Sequence, residues 1–354
     1  MLTDKQIEEI REHLEKTQNP VFFFDNDNDG LASFLLLRRF IDRGKGVPIK
    51  SYPELNVSYY RKIEEFSSDY IFILDKPVVS QEFLNKAKKD NIPIIWIDHH
   101  QTEGQTYNYD NPDINYYNPY LLNKTSEPVT YISYKITNKK EDIWIAVIGC
   151  ISDCYLPDFY PEFEIKFPGL GKKNPKGPKP PFDVLYNSEI GKIARILDFS
   201  LKDSTTNVMN MIRFLTKANG PMDILDDNAK TKQILKRYNE INSKYQVLLN
   251  KAREKVTAKL IYFQYGGSLS LSANLANQLS YEYPDKVIVI AYIKGDTANI
   301  SLRSNGDVRK LTLLAIDGID GASGGGHKNA TGAILSFDNL PLFKERIEKL
   351  VEKH

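Results

Sequence analysis

Short apolar runs that end on acidic or imidazole side chains recur through the first half of the chain. FFFDNDNDG leads to Asp25, Asp27 and Asp29, IFILD to Asp75, and IIWIDHH to Asp98, His99 and His100. Runs of this length, separated by helical periodicity, predict buried parallel strands. Strands are expected at 21–25, 70–75 and 93–98. Helices are expected at 1–18 with Thr3 as N-cap, over LASFLLLRRFIDRG up to Gly44, near 80–90, and over 141–152, where VIGCISDC supplies Asp153. Strand alternating with helix implies an α/β architecture on a parallel sheet. In open sheets of that kind ligands gather beyond the carboxyl ends of the strands, where these acids and imidazoles fall.

The pattern changes at 161–183, where PEFEIKFPGLGKKNPKGPKPPF is dense in Pro, Gly and Lys. Such a segment suits neither a helix nor a central strand, and it predicts a long exposed loop. Residues 186–257 read as almost entirely helical, ending in a polar run from 228 to 257 that suits a spacer. A second α/β unit follows: strand LIYFQ, helix SANLANQLSYEY, strands KVIVIAYIKG and ANISLRS joined by a Gly-Asp-Thr hairpin signal, a helix near 307–317, the glycine-rich SGGGHKNATGA, strand TGAILSF and a closing amphipathic helix. The expected organisation is a parallel-sheet catalytic, metal-binding domain at 1–185, a helical linker at 186–257, and a smaller substrate-binding α/β domain with a mixed sheet at 258–354.

At 354 residues the chain is long enough for two or three cores. Its net charge of +1 excludes a polybasic clamp, so an anionic partner must meet a local patch or bound metal. The two cysteines, Cys150 and Cys154, are too few for a disulfide framework, and their spacing suits one packed helix face. No apolar run approaches the roughly 20 residues of a membrane span, and the polar N-terminal helix is no signal peptide. A cytoplasmic protein without a membrane partner is expected.

Asp25-Asn26-Asp27-Asn28-Asp29-Gly30 superficially resembles the start of an EF-hand loop, but the twelfth position is Leu36 rather than an acid. In an extended segment Asp25 and Asp27 project to one side and can face one metal cluster. Asp29 suits either a ligand or the cap of the next helix. Asp98 can accept an imidazole N–H and fix a ligand tautomer. Crowded carboxylates without cations would repel one another and take up protons. Mixed carboxylate and imidazole ligation suits Mn²⁺, with Mg²⁺ or Co²⁺ as substitutes, whereas a structural zinc site would use cysteines. The run Gly324, Gly325, Gly326 is expected to form an anion-binding nest beside His327 and Lys328, with Arg303 as a bidentate phosphate donor.

Together these motifs resemble the DHH phosphoesterase family, in its RecJ-like branch with a C-terminal DHHA1 domain. DNDNDG resembles the first motif, Asp75 the second, Asp98-His99-His100 the signature third, Asp153 the fourth, and SLRS with SGGGHKNATGA the DHHA1 substrate motif. The resemblance implies two divalent ions on Asp25, Asp27, Asp75, His99 and Asp153, with Asp75 bridging. His100 would contact the scissile phosphate. Arg303, glycines 324–326 and His327 would hold the substrate's phosphates or terminal nucleotide, and Asn118-Pro119 would lie near the active site. The implied activity is an exonuclease releasing nucleotides from single-stranded DNA or RNA, through a hydroxide activated by two metals, in contact with replication or repair proteins. The alternatives are a phosphodiesterase for short oligonucleotides, nucleotide bisphosphates or cyclic dinucleotides, and a non-catalytic replication scaffold. Every expected ligand position carries Asp or His, which favours catalysis. Two departures stand out: Asn28 occupies a position where relatives carry a small residue, and the loop 161–183 has no counterpart.

Overall fold

In the computed structural model, which describes residues 1–51, 54–101 and 114–353, the chain divides into two units, Met1–Tyr238 and Asn239–His354. The first unit opens with helix α1 (Asp4–Lys16). Its N-cap is Thr3, whose hydroxyl accepts from the Gln6 amide while the Gln6 side chain accepts from the Thr3 amide. This reciprocal box satisfies two otherwise orphaned donors. There follow β1 (Pro20–Asp25), α2 (Asn28–Ile41), β2 (Lys45–Ile49), β3 (Tyr70–Leu74), α3 (Gln81–Lys89), β4 (Ile94–Ile97) and β5 (Ile114–Tyr117). All five strands pair in parallel, in the order β2-β1-β3-β4-β5.

Both faces of the sheet are apolar because both are covered. Phe22 and Phe24 pack on Phe34 of α2. Val21, Phe23, Ile71, Ile73 and Trp96 form the opposite face with Tyr60, Ile63 and Phe83. Each fully buried phenylalanine contributes roughly 1.5–3 kcal/mol of transfer free energy. The crossover after β1 therefore lies on one face and the crossovers around β3 on the other. The strand order reverses between β1 and β3, the switch point where open α/β sheets place their ligands.

Register aligns the strand ends there. Phe24 pairs with Leu74, Leu74 with Ile97, and Ile97 with Tyr117. The next residues, Asp25, Asp75, Asp98 and Asn118, thus form one row along the carboxyl edge. Two further helices, α4 (Val129–Thr137) and α5 (Ile143–Ser152), pack on α2. The cysteines do not share a face, because α5 stops at Ser152: Cys150 is buried, whereas Cys154 is exposed with φ of 56°.

The Pro/Gly/Lys segment differs from the expected loop at both ends. Helix α6 (Tyr160–Lys166) and helix α7 (Pro180–Asn187) flank a stretch, 167–179, that has neither helix nor strand. Proline in the first turn explains both helices, since its missing N–H is an orphan there anyway. Helices α8 (Glu189–Leu201), α9 (Thr205–Leu215) and α10 (Lys232–Arg253) account for the helical stretch.

The second unit is built on β6 (Leu260–Gly266), α11 (Ser272–Glu282), β7 (Val287–Lys294), β8 (Thr297–Arg303), α12 (Val308–Ile316), β9 (Ser323–His327), β10 (Ala330–Ser336) and α13 (Leu340–Glu352). The sheet is mixed, in the order β9-β10-β8-β7-β6, with only β6 and β7 parallel. Val289, Ala291, Ile300, Leu302 and Leu335 face Val308, Phe343 and Ile347 of α12 and α13. The glycine run expected to form a nest is instead an edge strand, its residues paired with β10. Among the described residues no helix is long and apolar enough to cross a membrane.

Candidate metal centre

Asp25 ends β1, and the chain turns at once into α2. The turn needs glycine at position 30: a Cβ there would strike the Asp25 carbonyl oxygen and sit 2.7 Å from the Asp25 amide nitrogen. Asp27, not Asp29, caps α2 by accepting from the Gly30 amide at 2.9 Å. Asp29 is a cap of another kind, since its two carboxylate oxygens accept from the Val129 and Thr130 amides, at 2.9 and 2.7 Å, at the start of α4. Asn28 lies inward, donating to Ser152 Oγ at 2.9 Å and to the Ala194 carbonyl at 2.8 Å. The Asn28 amide therefore ties α2 to α5 and α8.

Asp75 follows β3 in the left-handed region, with φ of 59°, an uncommon backbone for a non-glycine residue. It is almost fully buried, and among the described residues its Oδ1 has no well-aligned hydrogen bond. That atom lies 3.3 Å from His99 Nε2 and 3.7 Å from His100 Nδ1. His99 Nε2 is also 3.7 Å from Asp153 and 3.9 Å from Asp29, while its Nδ1 lies 3.2 Å from Ser126 Oγ. His100 turns its Nδ1 to Asp98 Oδ1 at 2.8 Å. Asp98, expected to fix the tautomer of a ligand imidazole, is instead paired with His100, the histidine expected at the phosphate. Its other oxygen accepts from the Tyr116 hydroxyl and the Asn118 amide.

Three overlapping sets of side chains bring their ligand atoms within 4.8 Å of one another: Asp25, Asp27 and Asp75; Asp75, His99 and His100; and Asp29, His99 and Asp153. Asp75 and His99 each belong to two sets. All five residues that the resemblance assigns to metal are brought together, with Asp29, Asp98 and His100 beside them.

Charge in this cluster is unbalanced. Burial, then the Asp29 and Asp27 carboxylates, push the Asp75 carboxyl well above its ordinary range. The carboxyl of Asp27, a residue that keeps exposed surface, lies among the same anions. Lost hydration, then Asp25 and Asp29, raise it as well. Burial works against a charged His99, yet Asp153, Asp75 and Asp29 together outweigh it and raise its pKa well above the usual value. His100 has the reverse effect on Asp98: burial opposes the carboxylate, but the His100 charge and hydrogen bond hold its pKa below the ordinary one. An orphaned carboxylate oxygen, mixed oxygen and nitrogen donors, and Asp153 at the negative end of α5 all fit divalent cations.

One partner escaped the sequence reading. Lys76 is completely buried, donating to Asp25 Oδ1 at 3.0 Å and to the Ser51 carbonyl at 2.8 Å. The available signal was a lysine directly after a strand-end acid, in IFILDKP. The Trp96 indole donates to the Lys76 carbonyl at 2.8 Å, which fixes the turn that carries both Asp75 and Lys76.

Of the substrate residues expected in the second unit, Arg303, Gly325 and His327 share one face of the sheet. Arg303 pairs with Ala330, and Ala330 with His327, so the three lie abreast across β8, β10 and β9. Gly325, Gly332 and Ser301 form the next row on the same face. Nothing lies within 4 Å of a Cβ built on Gly325, so this floor is bare. Arg303 is steadied by Asn277 Oδ1 at 2.6 Å and the Leu302 carbonyl at 2.8 Å. Gly324 and Gly326 face the other way: Gly324 abuts Ile316 of α12, and Gly326 adopts φ of 130°.

A parallel sheet with an acid and histidine cluster at its switch point, followed by a smaller mixed-sheet unit, defines a two-domain class with a candidate metal centre in its first domain. Residues 21–151 match the DHH family N-terminal domain and residues 254–353 match the DHHA1 domain. The chain belongs to the DHH family and carries a DHHA1 domain. It is 36% identical over 72 residues to the uncharacterized protein MJ0831 of Methanocaldococcus jannaschii, a match spanning 19% of this chain and only 17% of that relative's length. Among solved structures it is similar to a DHH domain described as a member of a family of ribosomal proteins (17% identity, 98% of this chain and 89% of that one, TM-score 0.68). It is similar to RecJ of Thermus thermophilus in complex with Mn²⁺ (15% identity, 99% and 55%, TM-score 0.67). It also shares its fold with a pGpG-specific phosphodiesterase of Vibrio cholerae (12% identity, 95% and 99%, TM-score 0.50).

Proposed function

We propose that the protein is a cytoplasmic, metal-dependent phosphodiesterase that releases nucleotides from the ends of single-stranded DNA or RNA. The observation that carries this reading is Asp75: a buried carboxylate shared between two ligand sets, with one oxygen that lacks a well-aligned hydrogen bond among the described residues. Asp25, Asp27, Asp75, His99 and Asp153 would hold the divalent cations, Mn²⁺ before Mg²⁺ or Co²⁺, while Asp29 behind them fixes α4. Such a pair supplies Lewis acidity for the phosphoryl oxygens and lowers the pKa of attacking water.

The chain's own groups do the rest. Asp98 accepts the His100 Nδ1 proton, which orients the ring and leaves its Nε2 side to contact the scissile phosphate. Lys76 holds Asp25 in place and offsets part of the anionic charge. In the DHHA1 unit, Arg303 and His327 grip phosphate from either side of Ala330, and the bare surface at Gly325 admits a nucleotide without side-chain obstruction. A grip on one nucleotide end suits removal of residues one at a time.

A second reading, hydrolysis of short oligonucleotides, nucleotide bisphosphates or cyclic dinucleotides, uses the same centre. It is supported by the fold shared over nearly the full length of the protein named for pGpG. Fold alone does not choose between them. The deciding experiment is a time course with end-labelled single strands of both polarities beside di- and trinucleotides, in Mn²⁺ and in chelator. Stepwise shortening of long strands supports the first choice. Turnover confined to short substrates selects the second, and no metal-dependent hydrolysis of any of them rejects both.

A further inference from the structure

The lysine-rich segment between α6 and α7 has no part in the metal centre. From Ile165 to Phe182 the chain carries five lysines (166, 172, 173, 176 and 179) and no acid. In a protein of net charge +1 this is a concentrated patch of one sign. An unstructured run of that composition would be an ordinary solvated tether. This one is built into the fold.

Its anchor is Asp183 on α7, a side chain only 4% exposed. Asp183 accepts from Lys172 Nζ at 2.6 Å, from the Lys176 backbone amide at 2.8 Å and from Asn187 Nδ2 at 2.8 Å. Tyr160 Oη accepts from the Lys172 amide at 2.8 Å, and the Ile190 amide donates to the Leu170 carbonyl at 2.9 Å. Turns at Gly169, Asn174 and Gly177, with φ of 85°, 51° and 87°, fold the segment back between these ties.

The lysines then fall into two groups. Lys172 is spent on Asp183, Lys166 reaches the Lys140 carbonyl, and Lys179 stands over the Phe182 ring. Lys173 and Lys176 are exposed, and among the described residues neither ammonium has an ion-pair partner. A buried carboxylate thus fixes the backbone on which two unneutralised cations stand. Ordering entropy already spent in folding is not spent again on binding.

We propose that the 167–179 segment is a phosphate-backbone contact for single-stranded nucleic acid, with Lys173 and Lys176 as its cations. The occupant follows from the charge: a chain with one negative charge per nucleotide fits two exposed ammonium groups carried on a fixed backbone, whereas a short substrate need not reach them. This assignment rests on the phosphodiesterase reading for its biological use, but its binding test stands apart from catalysis.

The test is fluorescence anisotropy of the full-length protein with labelled 20-nucleotide DNA and RNA strands across a salt series, beside turnover of a dinucleotide. The variants are K173A/K176A and, as a control on an exposed lysine elsewhere, Lys5→Ala. Loss of two phosphate contacts should flatten the salt slope by about 1.4 and weaken binding about 25-fold at 0.1 M salt. Dinucleotide turnover should stay unchanged in both variants. Wild-type affinity in K173A/K176A, or no strand binding by the wild type, overturns the assignment whatever the turnover shows. Displacement of the strand by polyaspartate at equal charge concentration would also overturn it, and would assign the patch to an acidic protein segment. Absence of turnover with intact, lysine-dependent binding rejects the catalytic reading alone.

Discussion

Asp75 combines a left-handed backbone, nearly complete burial and an oxygen that lacks a well-aligned hydrogen bond among the described residues. Each is unfavourable alone, and local strain of this kind persists only where surrounding structure imposes it. In the metal-free protein its negative charge opposes folding, because burial and the neighbouring Asp29 and Asp27 disfavour it. Asp75→Asn keeps the shape and removes the charge. Its melting temperature without metal should therefore equal or exceed that of the wild type. The rise that Mn²⁺ produces in the wild type should largely vanish in the variant. Activity should fall by well over the about 10–100-fold that loss of a mere supporting partner costs. Parallel melts with and without Mn²⁺, beside an activity assay, check all three; full activity in Asp75→Asn would reject the shared-ligand role. Gly30→Ala probes the same site through the backbone. The added methyl would meet the Asp25 main chain, which no rotamer change relieves. A loss of about 1–3 kcal/mol of stability is expected by urea unfolding, as for other overpacked sites, together with weaker Mn²⁺ binding.

At the scale of elements, the polar network at the head of β3 joins α1, β1 and β3. Asp69 accepts from the Thr17 hydroxyl at 2.6 Å and from the Gln18 and Asn19 amides at 2.6 and 2.9 Å. Burial opposes the Asp69 charge, but these donors win and hold its pKa below the ordinary value. A depressed folded-state pKa means that its stabilisation is fully present above the unfolded value, about 3.9, and is lost as pH falls through the folded one. Asp69→Asn should therefore be less stable than wild type at pH 7, with the gap closing below about pH 4 in urea melts. A gap that stays constant down to pH 2 would show that the carboxylate charge contributes nothing. Much at this scale was legible in the sequence. Apolar runs ending in Asp predicted β1, β3 and β4 because a strand buried on both faces needs continuous apolar side chains, and its end is where polar residues begin. Three things were not legible. The Asp29 partners lie about a hundred residues away, at the start of α4. The contacts of Lys76 likewise exist only once β1 and β3 are side by side. The glycines 324–326 have low strand propensity, and the ladder with β10 overrides it.

For the whole molecule, the residues able to hold cations fall within Met1–Tyr238 and the proposed phosphate grip within Asn239–His354. Under the proposed function, the two tasks then separate under mutation. Arg303 is tied to Asn277 and the Leu302 carbonyl, so its guanidinium is positioned before substrate arrives. A charged hydrogen bond to phosphate contributes about 1.5–3 kcal/mol, which corresponds to an approximately 10- to 150-fold change in an equilibrium constant. Arg303→Ala should raise KM by about that factor for the preferred substrate. The Mn²⁺ dissociation constant, read by calorimetry without substrate, should be unchanged, since no cation ligand is touched. Asp75→Asn should show the converse: impaired Mn²⁺ binding with the substrate grip intact, measured as affinity for a mononucleotide product in the absence of metal. Gly325→Val supplies the steric counterpart, because its side chain would fill the bare surface on β9, two strands away from Arg303. If Arg303→Ala altered Mn²⁺ affinity as strongly as KM, the division of labour would be wrong. If neither Arg303→Ala nor Gly325→Val changed KM, the β8–β10–β9 face would not be where the substrate is held.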